Sequence, residues 1–459
     1  MNQLDFDNTW KVYFCGIGGI SMSGLAAILL DEGFSVSGSD RSESDLTKAL
    51  AAQGAKIYIG QKAENITSDI DVVVYTAAIH PDHPELMEAK RLGIPLMTRA
   101  VLLGLIMKRY KMPVAISGTH GKTTVTSMIS DILLKADADP TLSVGGILES
   151  IGNTNIRIGH SDYFVAEACE YTNSFLSFFP RASVILNVEA DHLDFFKDLD
   201  DIENSFHKFA SLSPKDGIVI IGNDIPGKNK IISGIESPVV TFGKDNTADY
   251  YMETLFYDEM GRSHFTVCSP LGKEDFTLKV PGDHNVMNAL AAIALADYLK
   301  VDRSVTKAAL LEFSGAKRRF EFKGEVSGVR IFDDYAHHPS EIEATLTAAK
   351  RYPHKKLWCI FQPHTYTRTK SLMDDFATAL CLADEVILAK IYPARETDNL
   401  GISSATLMEK IIDQGTKCSY FETFEEIKNF VKENCAPDDM LITMGAGDVV
   451  NIADEMTQK

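Results

Sequence analysis

The chain of 459 residues has no C-x-x-C pair among its seven cysteines, at positions 15, 169, 268, 359, 381, 418 and 435. That scatter argues against a disulfide framework and against a structural zinc site, so the thiols read as reduced and mostly buried. Long apolar runs are missing as well: the longest useful one, AVLLGLIM at 100 to 107, is far below the length that spans a membrane. The N-terminal MNQLDFDNTW lacks the basic and apolar regions of a signal peptide, and a cytoplasmic protein is expected. Positive charge is in deficit, with 45 Lys+Arg against 64 Asp+Glu and a net charge of −19. Such a chain repels a nucleic-acid backbone unless a basic patch offsets the charge, and the sequence carries none. What remains is a soluble enzyme-like composition, 45% hydrophobic and 24% charged, free of internal repeats and low-complexity tracts. The length suggests about three domains.

The stretch ISGTHGKTT, at 116 to 124, raises the first chemical question. A strict P-loop places glycine five positions before Gly121, where this chain has Ile116; its first glycine comes late, at Gly118. The context nevertheless fits. PVAI at 113 to 116 reads as a buried strand, and 123 to 136 reads as a helix with Val125, Met128, Ile129, Ile132 and Leu133 on one face. In a strand–glycine loop–helix order, the free amides of the first helical turn and the Lys122 ammonium converge on phosphate oxygens. The Thr123 hydroxyl is then placed for a magnesium ion. The plainer alternative is a glycine turn with an exposed lysine.

Strand-like and helical segments alternate along the whole chain, the pattern of parallel α/β sheets. KVYFC at 11 to 15 leads into the glycine loop CGIGGISMSG, followed by a helix and the strand FSVSGSD. Gly16, Gly18 and Gly19 would let the backbone approach a diphosphate, and Asp40 could accept from a ribose hydroxyl, but Ser21 replaces the third glycine of a dinucleotide fingerprint. A close-packed turn with a solvated Asp40 is the competing reading. Further strands are expected at 71–76, 94–98, 163–168, 182–187 and 217–222, an antiparallel appendage at about 238–281, and a helix at 285–299. Hinges are expected at 110–113 and 313–317.

Several clusters sit where such sheets collect ligands. Glu167 ends a predicted strand in VAEACEYTNSF, and His192 follows another among acidic residues 189, 191 and 194. A carboxylate and an imidazole beside the P-loop threonine make a plausible magnesium site. His284, Asn285 and Asn288 lie at a helix start, the asparagines on one face and suited to an adenine edge, although capping alone would explain the first. Arg319 and Asp334 could grip a nucleotide, whereas Lys317 and Arg318 read as a solvated charge run. His337 and His338 follow two aspartates, and His364 with Arg368 follows a buried strand, where an arginine fork suits a carboxylate or phosphate.

Taken in order, GIGGISMSG, GSD, GTHGKTT, AEACEYTNSF, DHLD, PGDHNVMNALAA, RRFE, DDYAHHPSEI and QPHTYTRT make the chain resemble the Mur ligases of peptidoglycan synthesis over nearly its whole length. The resemblance implies an α/β protein of three domains: a Rossmann-like UDP-sugar domain at 1–110, a central P-loop ATPase at 111–314 and a C-terminal α/β domain at 315–459. It implies ATP-dependent ligation of L-alanine to the lactyl carboxylate of UDP-N-acetylmuramate, through an acyl phosphate and a tetrahedral intermediate. ATP and Mg2+ would be the cofactors, the partners small molecules only, without nucleic acid or membrane, and the protein a monomer or homodimer. The ATP contacts implied are Gly118, Thr119, His120, Gly121, Lys122, Thr123, Thr124, Asn285, Asn288, Arg319 and Asp334. Metal positions are Thr123, Glu167 and His192. The UDP-sugar would meet Gly16, Gly18, Gly19, Ser21, Asp40, His364 and Arg368, and the catalytic set would be Lys122, Glu167, His192, His337 and Arg368.

The chain departs from the family's pattern at several points. Cys169 and Thr172 stand where two aspartates are common, leaving Glu170 as the candidate second acidic ligand, and Thr365 stands where arginine is frequent. Where some relatives place a carbamylated lysine, this chain has His207, so that modification is not expected. Rival readings are a ligase that attaches a whole tripeptide to the same sugar nucleotide, a nucleotide-dependent binding module, and an NAD oxidoreductase, the last disfavoured by Ser21 and the second phosphate loop.

Overall fold

The computed structural model describes residues 6, 9–76, 79–192, 195–258, 261–394 and 396–458. The chain forms two compact units: the first runs to Gly243 and adds 247–249 and 291–302, and the second holds 244–246, 250–290 and 303–459. No helix among the described residues is long and apolar enough to cross a membrane.

The first unit begins with five parallel strands, β1 (Lys11–Cys15), β2 (Ser35–Asp40), β3 (Lys56–Ile59), β4 (Val72–Tyr75) and β5 (Leu96–Thr98), in the order β3-β2-β1-β4-β5. Both faces of this sheet are covered, as parallel sheets require. Val12, Phe14, Val72 and Val74 point into one apolar cluster, while Tyr13 and Val73, one residue out of phase, point into another. Strand order reverses at β1, and the loop at 16–19 leaves the carboxyl end of that strand, where such sheets bind ligands.

A second sheet follows, built from β6 (Met112–Ser117), β7 (Thr141–Leu148), β8 (Thr154–Arg157), β9 (Tyr163–Glu167), β10 (Ala182–Ile185), β11 (Ile218–Gly222) and β12 (Val239–Gly243). Their order is β12-β11-β10-β6-β9-β7-β8, which sets β6 between β10 and β9. Two expectations are corrected here. Residues 239–243, assigned to the antiparallel appendage, pair in parallel with β11, Val239 opposite Val219 and Phe242 opposite Gly222. Met112 and Pro113, assigned to a hinge, open β6; Pro113 sits near the strand start, where its missing N–H is tolerated.

In the second unit, β13 (Tyr250–Tyr257), β14 (Ser263–Ser269) and β15 (Gly272–Leu278) form the expected antiparallel ladder. The last sheet has the order β16-β17-β21-β18-β19-β20, from β16 (Glu321–Val326), β17 (Val329–Asp334), β18 (Leu357–Phe361), β19 (Glu385–Leu388), β20 (Lys417–Tyr420) and β21 (Met440–Met444). Only β16 runs antiparallel to its neighbour. β18 is buried throughout: Leu357, Cys359 and Phe361 serve one core cluster and Trp358 and Ile360 the other, the period of two expected of a strand between two helical layers.

The two sheets of the first unit share one apolar cluster that runs from Val12 to Ile231. Glycines set the contact. Helix Ile20–Asp31 passes so close to β8 that a Cβ on Gly24 would lie 2.2 Å from Ile156 Cγ1, and a Cβ on Gly104 of helix Arg99–Met107 would lie 1.9 Å from the Ser177 carbonyl oxygen. Backbone cannot retreat as a flexible side chain can. Gly104→Ala is therefore expected to destabilise the first unit by about 1–3 kcal/mol, the usual cost of overpacking. A lower denaturation midpoint by far-UV circular dichroism checks this; an unchanged midpoint would show that the helix can shift freely.

Candidate active site

The loop after β6 is a cradle held from outside. Gly118 has φ +144, and a Cβ there would meet Leu186 Cβ at 2.9 Å, so the turn needs glycine on both counts. The segment after β10 supplies the bracing. Thr119 N–H donates to the Asn187 carbonyl at 3.1 Å, His120 N–H to Asn187 Oδ1 at 2.7 Å, and Asn187 Nδ2 to the His120 carbonyl at 3.0 Å. Glu189 N–H donates to Thr119 Oγ1 at 2.9 Å. Helix Lys122–Lys135 starts directly behind, with Gly121 as its N-cap and no side chain capping its first amides. Those amides, with Thr124 in the first turn, lie at the positive end of the helix macrodipole.

Lys122 is folded into this cradle with its side chain 15% exposed. Its Nζ donates to the carbonyls of Gly118 and Thr119 and to Glu170 Oε2 at 3.0 Å and Oε1 at 3.2 Å. Burial alone would pull the ammonium below its ordinary pKa, but the negative field of Glu170, Cys169 and Glu167 outweighs it and raises the value. Thr123 Oγ1 lies 3.0 Å and 3.1 Å from the two Glu167 oxygens, and Gly145 N–H fixes Oε2 of the same carboxylate at 2.6 Å. His192, at φ +55, brings Nε2 to 3.8 Å from Glu170 Oε1, and its ring packs on Tyr171 with centroids 4.6 Å apart. Glu170 is thus the hub, 2% exposed, touching both the lysine and the histidine. Asp194 lies outside the described residues.

At the first glycine loop, Gly18 N–H donates to Asp40 Oδ2 at 2.9 Å and Arg41 N–H to Oδ1 at 2.7 Å, so Asp40 ties the loop to the end of β2. Gly16 N–H reaches the Ser39 carbonyl at 2.9 Å, and Gly19 caps helix Ile20–Asp31. Ser21 accepts from Arg99 Nη1 at 2.9 Å. Arg99 was not singled out from sequence, since nothing in the stretch LMTRAV marks it; only the fold brings it to the loop.

The second unit holds its own polar network. Asp334, 6% exposed, accepts from Phe320 N–H and Ala336 N–H, both at 2.7 Å. Arg319 Nη1 approaches Glu341 Oε1 at 3.8 Å, and Glu341 Oε2 takes the His337 N–H at 3.0 Å. The His337 and His364 rings lie 6.0 Å apart, and His364 Nδ1 is 3.4 Å from Arg368 Nη1. Thr365, at φ +66, caps the short helix that carries Arg368. His338 caps helix Pro339–Ala349. Asn285 Nδ2 donates to the Pro281 carbonyl at 2.6 Å and Asn288 Nδ2 to Asn285 Oδ1 at 3.4 Å, in a helix that spans Asp283–Tyr298. One expectation fails: Arg318 is not solvated. It clamps Asp333 Oδ2 at 3.0 Å and the carbonyls of Gly445 and Gly447 at 2.6 Å and 3.1 Å, because the buried Asp333 needs a cation. Lys317 is exposed as expected. Glu341 and Asn187 were also missed: Glu341 sits within a quoted motif and bonds the nearby His337 and His338 amides, whereas Asn187 braces a loop 67 positions away.

Three family models match the chain: the Mur ligase family catalytic domain at residues 11–111, the Mur ligase middle domain at 116–296 and the Mur ligase glutamate ligase domain at 318–447. The UDP-N-acetylmuramate–L-alanine ligase of Agathobacter rectalis is 54% identical over 462 residues, covering 100% of both chains. Among solved structures, the UDP-N-acetylmuramate-alanine ligase of Thermotoga maritima is similar with a TM-score of 0.80 and 30% identity, covering 97% of this chain and 98% of that one. A murein peptide ligase of Psychrobacter arcticus, at 24% identity and a TM-score of 0.71 over 97% of this chain and 98% of that one, shares the fold.

Burial in the second unit sets a pH dependence. The partly buried His337 and His364 are each pulled from 6.5 to about 4, chiefly by desolvation. They stay neutral in the folded state and charge in the unfolded one as pH falls through that window, so each costs stability on acidification. Asp334 works oppositely. Burial raises it from 3.8 to about 6 against the pull of Arg319, so the folded state keeps its proton and gains as pH falls between those values. Asp333, likewise raised by burial, acts in the same direction as Asp334. A single substitution isolates the histidine cost: His337→Gln is expected to make the second unit less sensitive to acidification between pH 6.5 and 4 than the parent. Denaturant midpoints measured across this range check it; identical profiles in variant and parent would refute the burial argument.

Proposed function

The chain belongs to the Mur ligase family, and on that premise we propose that it forms the amide between UDP-N-acetylmuramate and L-alanine in peptidoglycan precursor synthesis. Its three-domain α/β architecture is that of the family, with proposed boundaries at 1–110, 111–314 and 315–459. The choice of alanine is supported by whole-length likeness to ligases of that name. The geometric observation that carries the reading is Lys122, seated between two loop carbonyls and a glutamate at a helix N-terminus.

ATP is the proposed phosphoryl donor. Loop residues 118–121 with Lys122, Thr123 and Thr124 hold its phosphates, the ammonium exchanging Glu170 for phosphate oxygens of like charge. Asn285, Asn288, Arg319 and Asp334 are the proposed further nucleotide contacts. The donor set of Thr123 hydroxyl, Glu167 carboxylate and His192 imidazole fits a magnesium ion, two of its members already lying 3.0 Å apart. Bound there, the ion supplies Lewis-acid neutralisation of phosphate charge.

The lactyl carboxylate oxygen bonds to the γ-phosphorus as the bridging bond to ADP breaks, giving an acyl phosphate. The alanine amine then attacks the acyl carbon, and the tetrahedral intermediate expels phosphate and loses a proton to leave the amide. Gly16, Gly18, Gly19, Ser21 and Asp40 are the proposed contacts of the UDP moiety. His364 and Arg368 are proposed for the substrate carboxylates and His337 for the incoming amine, each held in place by the hydrogen bonds described above. We place the protein in the cytoplasm, as monomer or homodimer, where ATP and nucleotide sugars are available.

Phosphate release is expected only with ATP, UDP-N-acetylmuramate and L-alanine together; release with a tripeptide in place of alanine would transfer the chain to the peptide-attaching branch. Lys122→Ala is expected to lower kcat about 10²–10³-fold, equivalent to about 3–4 kcal/mol of lost transition-state stabilisation. Near-normal turnover in that variant would refute the assignment of the cradle.

A further inference from the structure

Cys15, His83 and Glu85 bring a sulfur, an imidazole nitrogen and a carboxylate oxygen within 4.8 Å of one another in the N-terminal sheet. Cys15 ends β1 and is 0% exposed; His83 and Glu85 flank Pro84, the first residue of helix Pro84–Leu92. Cys15 Sγ lies 3.6 Å from His83 Nδ1. A zinc ion about 2.3 Å from sulfur and about 2.0 Å from nitrogen, at the tetrahedral angle, holds two such atoms about 3.5 Å apart. The pair is therefore already at coordination spacing.

Glu85 gives an independent indication. Its carboxylate is 0% exposed, yet the donors it accepts from are neutral: Tyr13 hydroxyl at 2.8 Å and Asn65 Nδ2 at 2.9 Å to Oε1, and Ser39 hydroxyl at 2.7 Å to Oε2. Among the described residues no lysine or arginine is paired with it. A buried carboxylate is costly without a counter-charge, and the first turn of one helix offsets only part of that cost. The same three donors leave one lone pair free, on Oε2, and fix the carboxylate's orientation, the role that outer hydrogen bonds play around metal ligands. Gln61 Nε2, 3.8 Å from Cys15 Sγ, is placed to stabilise a thiolate. The spacing argument against structural zinc concerned cysteine pairs close in sequence; here the ligands are 68 positions apart and only the parallel pairing of β1 and β4 unites them.

We propose that Cys15, His83 and Glu85 form a binding site for a borderline-soft divalent cation of the zinc type, with one coordination position left to water. Coordination displaces the thiol proton to solvent and leaves a thiolate, a neutral imidazole and a carboxylate around the ion. The ion ties the end of β1, immediately before Gly16, to the N-terminus of helix Pro84–Leu92. The site is separate from the magnesium position at Thr123 and does not depend on the ligase reading.

The test is titration of chelator-treated full-length protein with Co2+, followed by displacement with Zn2+. One equivalent of Co2+ is expected to produce a thiolate-to-metal charge-transfer absorption, absent in Cys15→Ser, and Zn2+ is expected to raise the thermal midpoint of the parent. His83→Ala is expected to weaken Co2+ binding 10–100-fold. The proposal is overturned if the parent shows no such absorption, or if Cys15→Ser retains it through another thiol. Should Cys15→Ser fail to fold, the half-exposed His83 decides: unchanged Co2+ affinity in His83→Ala overturns the site.

Discussion

A lysine ammonium taken almost out of water needs a counter-charge at all times, and at Lys122 that constraint organises the first unit. Glu170 meets it, at 3.0 Å. Removing one partner of such a pair strands the other charge at a cost of about 3–5 kcal/mol, so the lysine is held by something that must later let go. A phosphate can relieve Glu170 of this task because it offers several anionic oxygens to the same ammonium. On the proposed reading the glutamate would then be left with His192 beside it, and the pocket would exchange one internal ion pair for a ligand-bound one. Such an exchange would be nearly isoelectric at the lysine.

The second unit meets a related constraint with a different device. Asp333 and Asp334 are adjacent and both buried, and two neighbouring carboxylates cannot both be neutralised by one cation. Asp333 receives the Arg318 guanidinium and Thr443; Asp334 receives two backbone amides and the more distant field of Arg319. The first is a clamp between β17 and the turn after β21, the second a poised group whose proton is held to about pH 6. Period-two alternation along β17 sends the two side chains to opposite sides, so one sequence dipeptide serves stability and the other serves the polar network around Glu341.

Much of this was legible in the sequence because the chemistry is carried by short local patterns. The strand–glycine loop–helix order at 113–136 needs only periodicity and the absence of a side chain at Gly118 to be read, and β1 and β9 declare themselves as unbroken apolar runs. What stayed hidden depends on partners distant in the chain. Arg318 looks like part of a charge run until β21 brings the Gly445 and Gly447 carbonyls to it. Arg99 reaches Ser21 across 78 positions, and Asn187 braces a loop 67 positions earlier. The strand at 239–243 was misread because VVTFG carries no local sign of strand direction; only its pairing with β11, Val219 opposite Val239, makes it parallel. The Cys15–His83 pairing has no local signature at all.

The close approach at Gly24 and Gly104 bears on how this chain could be rearranged by evolution. The stretch through β5 and the helix after it has its own sheet and its own glycine loop, the outward marks of an exchangeable module. Yet its helices interlock with the Ile156 side chain of β8 and with the Ser177 carbonyl, and its core residues continue into those of the next sheet. Grafted elsewhere, it would carry a bare, sterically specific face that only a matching neighbour could cover. Recombination at that junction is thereby discouraged, and the two sheets are bound to diverge together.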